Sequence, residues 1–347
     1  MTNDLNAGRL SRRRLLVAAS AAAGIGPVAS AAAEEAAAAP ATFGEGHHTY
    51  TLVPGWGKLP DGLHFKMGCA IVADRKDQVY VHSQADRMVV VFDRKGNLLR
   101  DFGTDFTGVG GKIERGACHG LYLHRVGNDE FLYFSVLNPY HQVIKTDLNG
   151  KELMRIGNVR EENSTNIKAP LNNPTDVAVA PNGDIYVCDG YGDQIVRRFS
   201  PEGKFIQAIG KPGRGPGEFN TCHGIWVDTR GKKKHDPELY VADRANNRLQ
   251  VFTLDGQIKR QVTESLRNPC CFYQHQDLMF VPDLAKVVTI FDPEDRPVAS
   301  LGDGMKLQGD AAFVAPHALT LDSRGDLYVV EWVGDARLRK LQHTPRR

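Results

Sequence analysis

Three histidines of this 347-residue chain recur in one short context. They stand in Cys118-His119-Gly120-Leu121, Cys222-His223-Gly224-Ile225 and Pro316-His317-Ala318-Leu319. Each lies where an apolar strand begins. Three imidazoles brought to one point, with a fourth position left open, are the donor set of a catalytic Zn²⁺ site. Imidazole also suits copper, iron or nickel, so another divalent transition metal is the alternative. His64, His82, His124, His141, His235 and His275 lack this context and are expected at the surface or in packing.

Convergence requires a scaffold, and the chain supplies one by repetition. A unit of strand, charged or Asn/Gly turn and strand occurs six times, at 79–92, 132–147, 185–199, 239–252, 278–292 and 327–342. An apolar strand precedes several of these units, as in DVAVAPNGD and GIWVDTRG. A hairpin into a further strand follows several, as in FDRKGNLLRDFG and FSPEGKFIQAIG. Alternating apolar positions around Gly-containing turns predict hairpins. Four short antiparallel strands per unit make one propeller blade, and blades bury their faces only against one another.

The expected fold is therefore all-β, a six-bladed β-propeller over 47–347. The sixth unit shows no fourth strand of its own. The segment at 49–60 precedes the first blade without a unit, and is expected to close the ring as its N-terminal strand. A helical solenoid is the rival, but no 3.6-residue apolar period is seen outside the first residues. The histidines fall in blades two, four and six. Alternate blades lie about 120° apart, so the three can meet on the axis.

The first residues read as an address. Ser11-Arg12-Arg13-Arg14-Leu15-Leu16 places an arginine pair before an alanine-rich apolar run that ends in small residues, including Ala29-Ser30-Ala31. This predicts a twin-arginine signal peptide over 1–33, then a flexible leader over 34–46. A membrane anchor is the alternative, but Gly24, Gly26 and Pro27 break the run. The expected destination is the periplasm or the medium. Loss of residues 1–33 removes Arg9, Arg12, Arg13, Arg14 and Asp4, so the formal charge falls from +2 to −1. That balance suggests neither nucleic acid nor a membrane surface as a partner. A monomer with a small-molecule or peptide substrate in the axial channel is expected. Cys69, Cys118, Cys188, Cys222, Cys270 and Cys271 form no C-x-x-C pair and are read mainly as buried thiols.

The blades resemble NHL repeats. Four segments resemble the propeller of peptidyl-α-hydroxyglycine α-amidating lyase (peptidylamidoglycolate lyase): HGLYL at His119, residues 172–206, VADRANNRLQVF at 241–252 and PHALTL at 316–321. The resemblance implies zinc on the axis, held by the three histidines. It implies that Tyr191, in Asp189-Gly190-Tyr191, and Arg244, in Ala242-Asp243-Arg244, face the metal as the catalytic pair. The implied reaction turns an N-acyl-α-hydroxyglycine into an amide and glyoxylate. Departures are visible. Ala315 stands where the family has Met, Ala318 where it has a calcium-binding Asp, and Gly192 where it has Cys. No arginine occupies the family's first-blade position in residues 82–86, and Arg87 is the nearest substitute. The alternatives are a non-catalytic NHL propeller that binds a protein or glycan, and a related lyase or hydrolase with another small substrate. A lactonase is disfavoured because such enzymes use acidic and Asn ligands.

Overall fold

The computed structural model describes residues 40–85, 89–103, 107–108, 111–112, 117–137, 140–157, 171–302, 309 and 312–345. The signal peptide expected over 1–33 and the substitute Arg87 lie outside the described residues, as do 34–39. One compact unit spans Pro40–Arg347.

Six sheets of antiparallel strands carry the fold. Blade 1 runs from its inner strand Gly68–Ala73 through Val79–Ser83 and Val89–Phe92 to its outer strand Leu98–Phe102. The inner strands of blades 2 to 6 are Cys118–Val126, Asp176–Val179, Cys222–Asp228, Tyr273–His275 and Pro316–Leu321. Helix among the described residues is limited to short 3₁₀ turns. The chain is an all-β, six-bladed propeller.

Burial grades outward through each blade. In blade 1 the second and third strands are buried at every residue, whereas the outer strand is mostly half-exposed. Strict polar alternation is lost in the middle strands because neighbouring blades cover both faces. Tyr80, Tyr186, Tyr240 and Tyr328, one from the second strand of each of four blades, are fully buried. Burial of a large side chain is worth roughly 1.5–3 kcal/mol, provided the hydroxyl finds a partner. Tyr186 donates to the Leu254 carbonyl of the next blade at 2.6 Å, and Tyr240 donates to Asp295 of the next blade at 2.7 Å. Arg94 of blade 1 reaches Asp322 of blade 6 at 2.9 Å. The blades are thus stitched around the ring as well as packed.

The hairpins between third and fourth strands show why glycine recurs there. Gly96, Gly150, Gly203 and Gly256 take φ of +92°, +87°, +79° and +90°. Blade 5 places Asp295 in the matching turn at φ +62°. Aspartate tolerates the left-handed region better than most side chains.

Strand Tyr50–Val53 pairs antiparallel with Leu338–His343 of blade 6, in the register Tyr50↔His343 to Val53↔Lys340. A short strand, Thr42–Phe43, pairs outside it. The structure departs here from the flexible leader expected over 34–46. Thr42 and Phe43 are built into the sheet, and Phe43 is buried against Phe313 with ring centroids 5.0 Å apart. Cys69, Cys188, Cys222 and Cys270 are buried free thiols, and Cys271 is a partly buried one.

Candidate metal centre

The blade ladder is broken at the start of four inner strands. In blades 1, 4 and 6 the register shifts between Gly68 and Ala70, Cys222 and Gly224, and Pro316 and Ala318. The skipped residues are Cys69, His223 and His317. In blade 2 the ladder breaks between the Phe134↔Leu121 and Val136↔Cys118 pairs, which places His119 in the break. A bulge re-aims one side chain out of the alternating pattern. Here it turns the histidines of blades 2, 4 and 6 toward a common point.

His119, His223 and His317 are all buried, and their ligating atoms lie within 4.8 Å of one another. Their rings meet edge to face, with centroids 4.8–5.1 Å apart. Each Nδ1 points at a backbone carbonyl of the following blade. His119 pairs with Thr175 at 2.7 Å, His223 with Cys270 at 2.8 Å and His317 with Cys69 at 2.6 Å. A carbonyl can only accept, so Nδ1 carries the proton and Nε2 keeps a free lone pair for a metal or a hydrogen-bond donor. Blades 1, 3 and 5 therefore orient the ligands that blades 2, 4 and 6 present.

Glycine follows two of the histidines for a local reason. A Cβ on Gly120 would stand 2.6 Å from the Thr175 carbonyl oxygen, and one on Gly224 would stand 2.3 Å from that of Cys270. These are the oxygens that hold His119 and His223.

Burial holds the three imidazoles neutral. It pushes His119 down to about 4 and carries His223 and His317 well below the ordinary value. The Arg244 charge acts in the same direction on all three. Neutral rings with fixed tautomers and converging Nε2 atoms fit a tetrahedral transition-metal site, and no proton must be displaced near pH 7.

Tyr191 and Arg244 come to the same place. Asp189 accepts hydrogen bonds from the backbone N–H groups of Asn172 and Asn173 and pairs with buried Arg197, which shapes the Asp189-Gly190-Tyr191 turn. Gly190 is required by crowding, since a Cβ there would lie 1.9 Å from the Cys222 carbonyl oxygen. The Tyr191 hydroxyl then lies 3.0 Å from Nε2 of His223 and 3.2 Å from Nε2 of His119. Arg244, in the turn Arg244–Asn246, donates to that hydroxyl at 3.2 Å. Its guanidinium carbon lies 5.4 Å from the Tyr191 ring centroid. Burial raises the Tyr191 phenol above its ordinary value, and Arg244 opposes the rise.

Sequence reasoning missed three parts of the site. The carbonyl cradle is one, since backbone groups leave no mark in a sequence. Trp332 is another. Its ring lies 5.1 Å from His317 and nearly parallel to it, and 6.0 Å from His119. The third lies beside the cradle: Asp176, next in sequence to the Thr175 carbonyl that holds His119, is buried and lines a cavity of about 90 Å³ with Leu121, Ile225, Cys271 and Ala318. Its carboxyl is pushed up to about 7 by burial. The departures are also placed. Ala315 accepts the Trp332 backbone N–H at 2.8 Å, and Ala318 is buried in its strand. Gly192 has no room for a Cβ, which would meet Asn172 and Asp189 at 2.6 Å. His82, expected at the surface or in packing, is fully buried edge-on to Phe134.

A family described as "6-bladed beta-propeller" matches residues 164–287. Peptidyl-alpha-hydroxyglycine alpha-amidating lyase 2 of Drosophila melanogaster is 27% identical over 219 residues, 62% of this chain and 46% of that protein.

The chain is a six-bladed propeller related in sequence, at modest identity, to the amidating lyases.

Peptidylglycine alpha-amidating monooxygenase of Rattus norvegicus is 35% identical over 144 residues. That match covers 40% of the chain and only 14% of the relative. Human NHL repeat-containing protein 3 is 26% identical over 308 residues, 84% of this propeller and 83% of that protein. Among solved structures, the gluconolactonase XC5397 of Xanthomonas campestris superposes with a TM-score of 0.60 at 14% identity, covering 88% of this chain and 97% of that one. A streptogramin B lyase gives a TM-score of 0.57 at 12% identity, with coverage of 86% and 100%. At such identities these two structures speak for the fold alone.

Proposed function

We propose that this propeller is a metal-dependent carbon–nitrogen lyase that cleaves an N-acyl-α-hydroxyglycine-type carbinolamide to an amide and glyoxylate. The observation that carries the reading is the Tyr191 hydroxyl, set 3.0 and 3.2 Å from two Nε2 atoms of the buried triad with Arg244 beside it. The sequence relationship to named amidating lyases supports it.

His119, His223 and His317 would hold Zn²⁺ or another divalent transition metal, which supplies Lewis-acid polarisation of the substrate hydroxyl when bound. Tyr191, having first lost its own proton to solvent, would accept the hydroxyl proton as the phenolate general base. Arg244 favours the phenolate and holds the substrate carboxylate. The C–O pair closes to a carbonyl, the C–N bond breaks, and its electron pair leaves on the amide nitrogen. Tyr191 returns the proton there. The products are a carboxamide and glyoxylate, with no net redox change and no water consumed.

In this reading the enzyme works as a monomer on a small-molecule or peptide substrate. It is exported by the twin-arginine route, and pairing of Tyr50–Val53 with blade 6 closes its ring. A second reading is a non-catalytic NHL module that binds a protein or glycan. It is favoured by the long match to NHL repeat-containing protein 3.

Elemental analysis of the protein beside its His119/His223/His317 triple-alanine variant separates the two. About one metal ion per chain, lost in the variant, together with glyoxylate release from an acyl-α-hydroxyglycine, supports the lyase. No metal in either protein, under conditions that retain loosely held ions, supports the binding module.

A further inference from the structure

The triad is buried, so a ligand must reach it past side chains that touch solvent. Among the described residues three stand against it: Tyr191, which is 38% exposed, and half-buried Arg244 and Trp332. Tyr191 contacts His119 and His223, whereas Trp332 contacts His119 and His317. They come from blades 3 and 6, which are opposite in a six-membered ring. The mouth therefore has a cationic, hydroxylic side and an aromatic side.

Trp332 is not needed to aim His317. The Cys69 carbonyl at 2.6 Å already does so, inside a buried strand. The chain's other two tryptophans give their indole N–H groups to protein acceptors: Trp56 to the Arg94 carbonyl at 2.9 Å and Trp226 to Gln274 at 3.5 Å. The Trp332 N–H has no protein acceptor among the described residues and is not buried. A half-buried indole with an unused donor, fixed beside a buried donor cluster, is built to meet a ligand.

We infer that Trp332 is the specificity-determining wall of this site and that the site takes an N-acylated amino acid carboxylate bearing a flat aromatic acyl group. The carboxylate meets Arg244, the acyl carbonyl accepts from the indole N–H, and the aromatic group lies against the indole. The inference rests on the reading of the triad as the substrate site, and names the class of substrate.

The test uses two unreactive probes, N-benzoylglycine and N-acetylglycine, in calorimetric titrations of the full chain with and without added Zn²⁺. The wild-type protein should bind the aromatic probe roughly 10-fold more tightly, the upper end of what one aromatic pair contributes. Trp332→Ala should erase that preference with metal content unchanged, both probes losing the indole hydrogen bond and N-benzoylglycine losing the ring contact as well. Trp332→Phe should keep part of it. An equal preference in Trp332→Ala, no preference or no binding in the wild type, or metal loss in Trp332→Ala each overturns the inference. An intact preference without glyoxylate release from an acyl-α-hydroxyglycine sinks the lyase reading and leaves this one standing.

Discussion

His223 and Cys270 are 47 residues apart and belong to different blades, yet Nδ1 of the one lies 2.8 Å from the carbonyl oxygen of the other. That contact fixes the tautomer and aims Nε2 at the axis. Two further pairs repeat it around the ring.

His223→Ala removes one ligand and leaves its carbonyl partner unsatisfied, at a cost of about 1–3 kcal/mol. The propeller should stay folded by circular dichroism while bound metal is lost by elemental analysis. Full metal occupancy in the variant would refute the triad.

Gly224→Ala tests the cradle without touching a ligand. The new Cβ would press on the Cys270 oxygen from 2.3 Å. Outer partners of metal-binding histidines are worth roughly 10- to 100-fold in affinity. A zinc competition titration should show a loss of that size. Unchanged affinity would mean that the carbonyl does not orient His223.

Tyr191→Phe removes the hydroxyl and keeps the ring. Metal content should be unchanged, and glyoxylate release should fall by about 10²- to 10⁴-fold, the range for loss of a general base. Retained turnover would take Tyr191 out of the mechanism.

Asp176 gives a pH signature. Burial raises its carboxyl from 3.8 to about 7, so between those values the folded protein holds a proton that the unfolded chain has released. Its stabilising contribution is full below about pH 4 and is lost as pH rises through about 7. Asp176→Asn should therefore flatten the decline in Tm across that window. An identical pH profile in the variant would show that Asp176 ionises freely in the fold.

Much of the architecture was legible because a propeller writes itself as repetition. The hairpin turns around Gly96, Gly150, Gly203 and Gly256 and the apolar second strands are local features, and local features survive in a sequence. The triad was legible for the same reason: His119, His223 and His317 sit at one repeat position, so the symmetry of the ring brings them together. The ordered segment at 42–43 was not, because Phe43 is held by Phe313, a contact across 270 residues that no local pattern announces.

The amino-acid sequence alone determined the all-β class, the six units and the identity of the candidate ligands, since each follows from short-range periodicity. The tertiary structure decided which nitrogen of each histidine is free, that the Tyr191 hydroxyl lies over two of them, and that Trp332 stands against the third. Those relations depend on bulges, on backbone carbonyls of neighbouring blades and on burial. All three are set by packing between strands far apart in the chain, and none has a side-chain signature of its own.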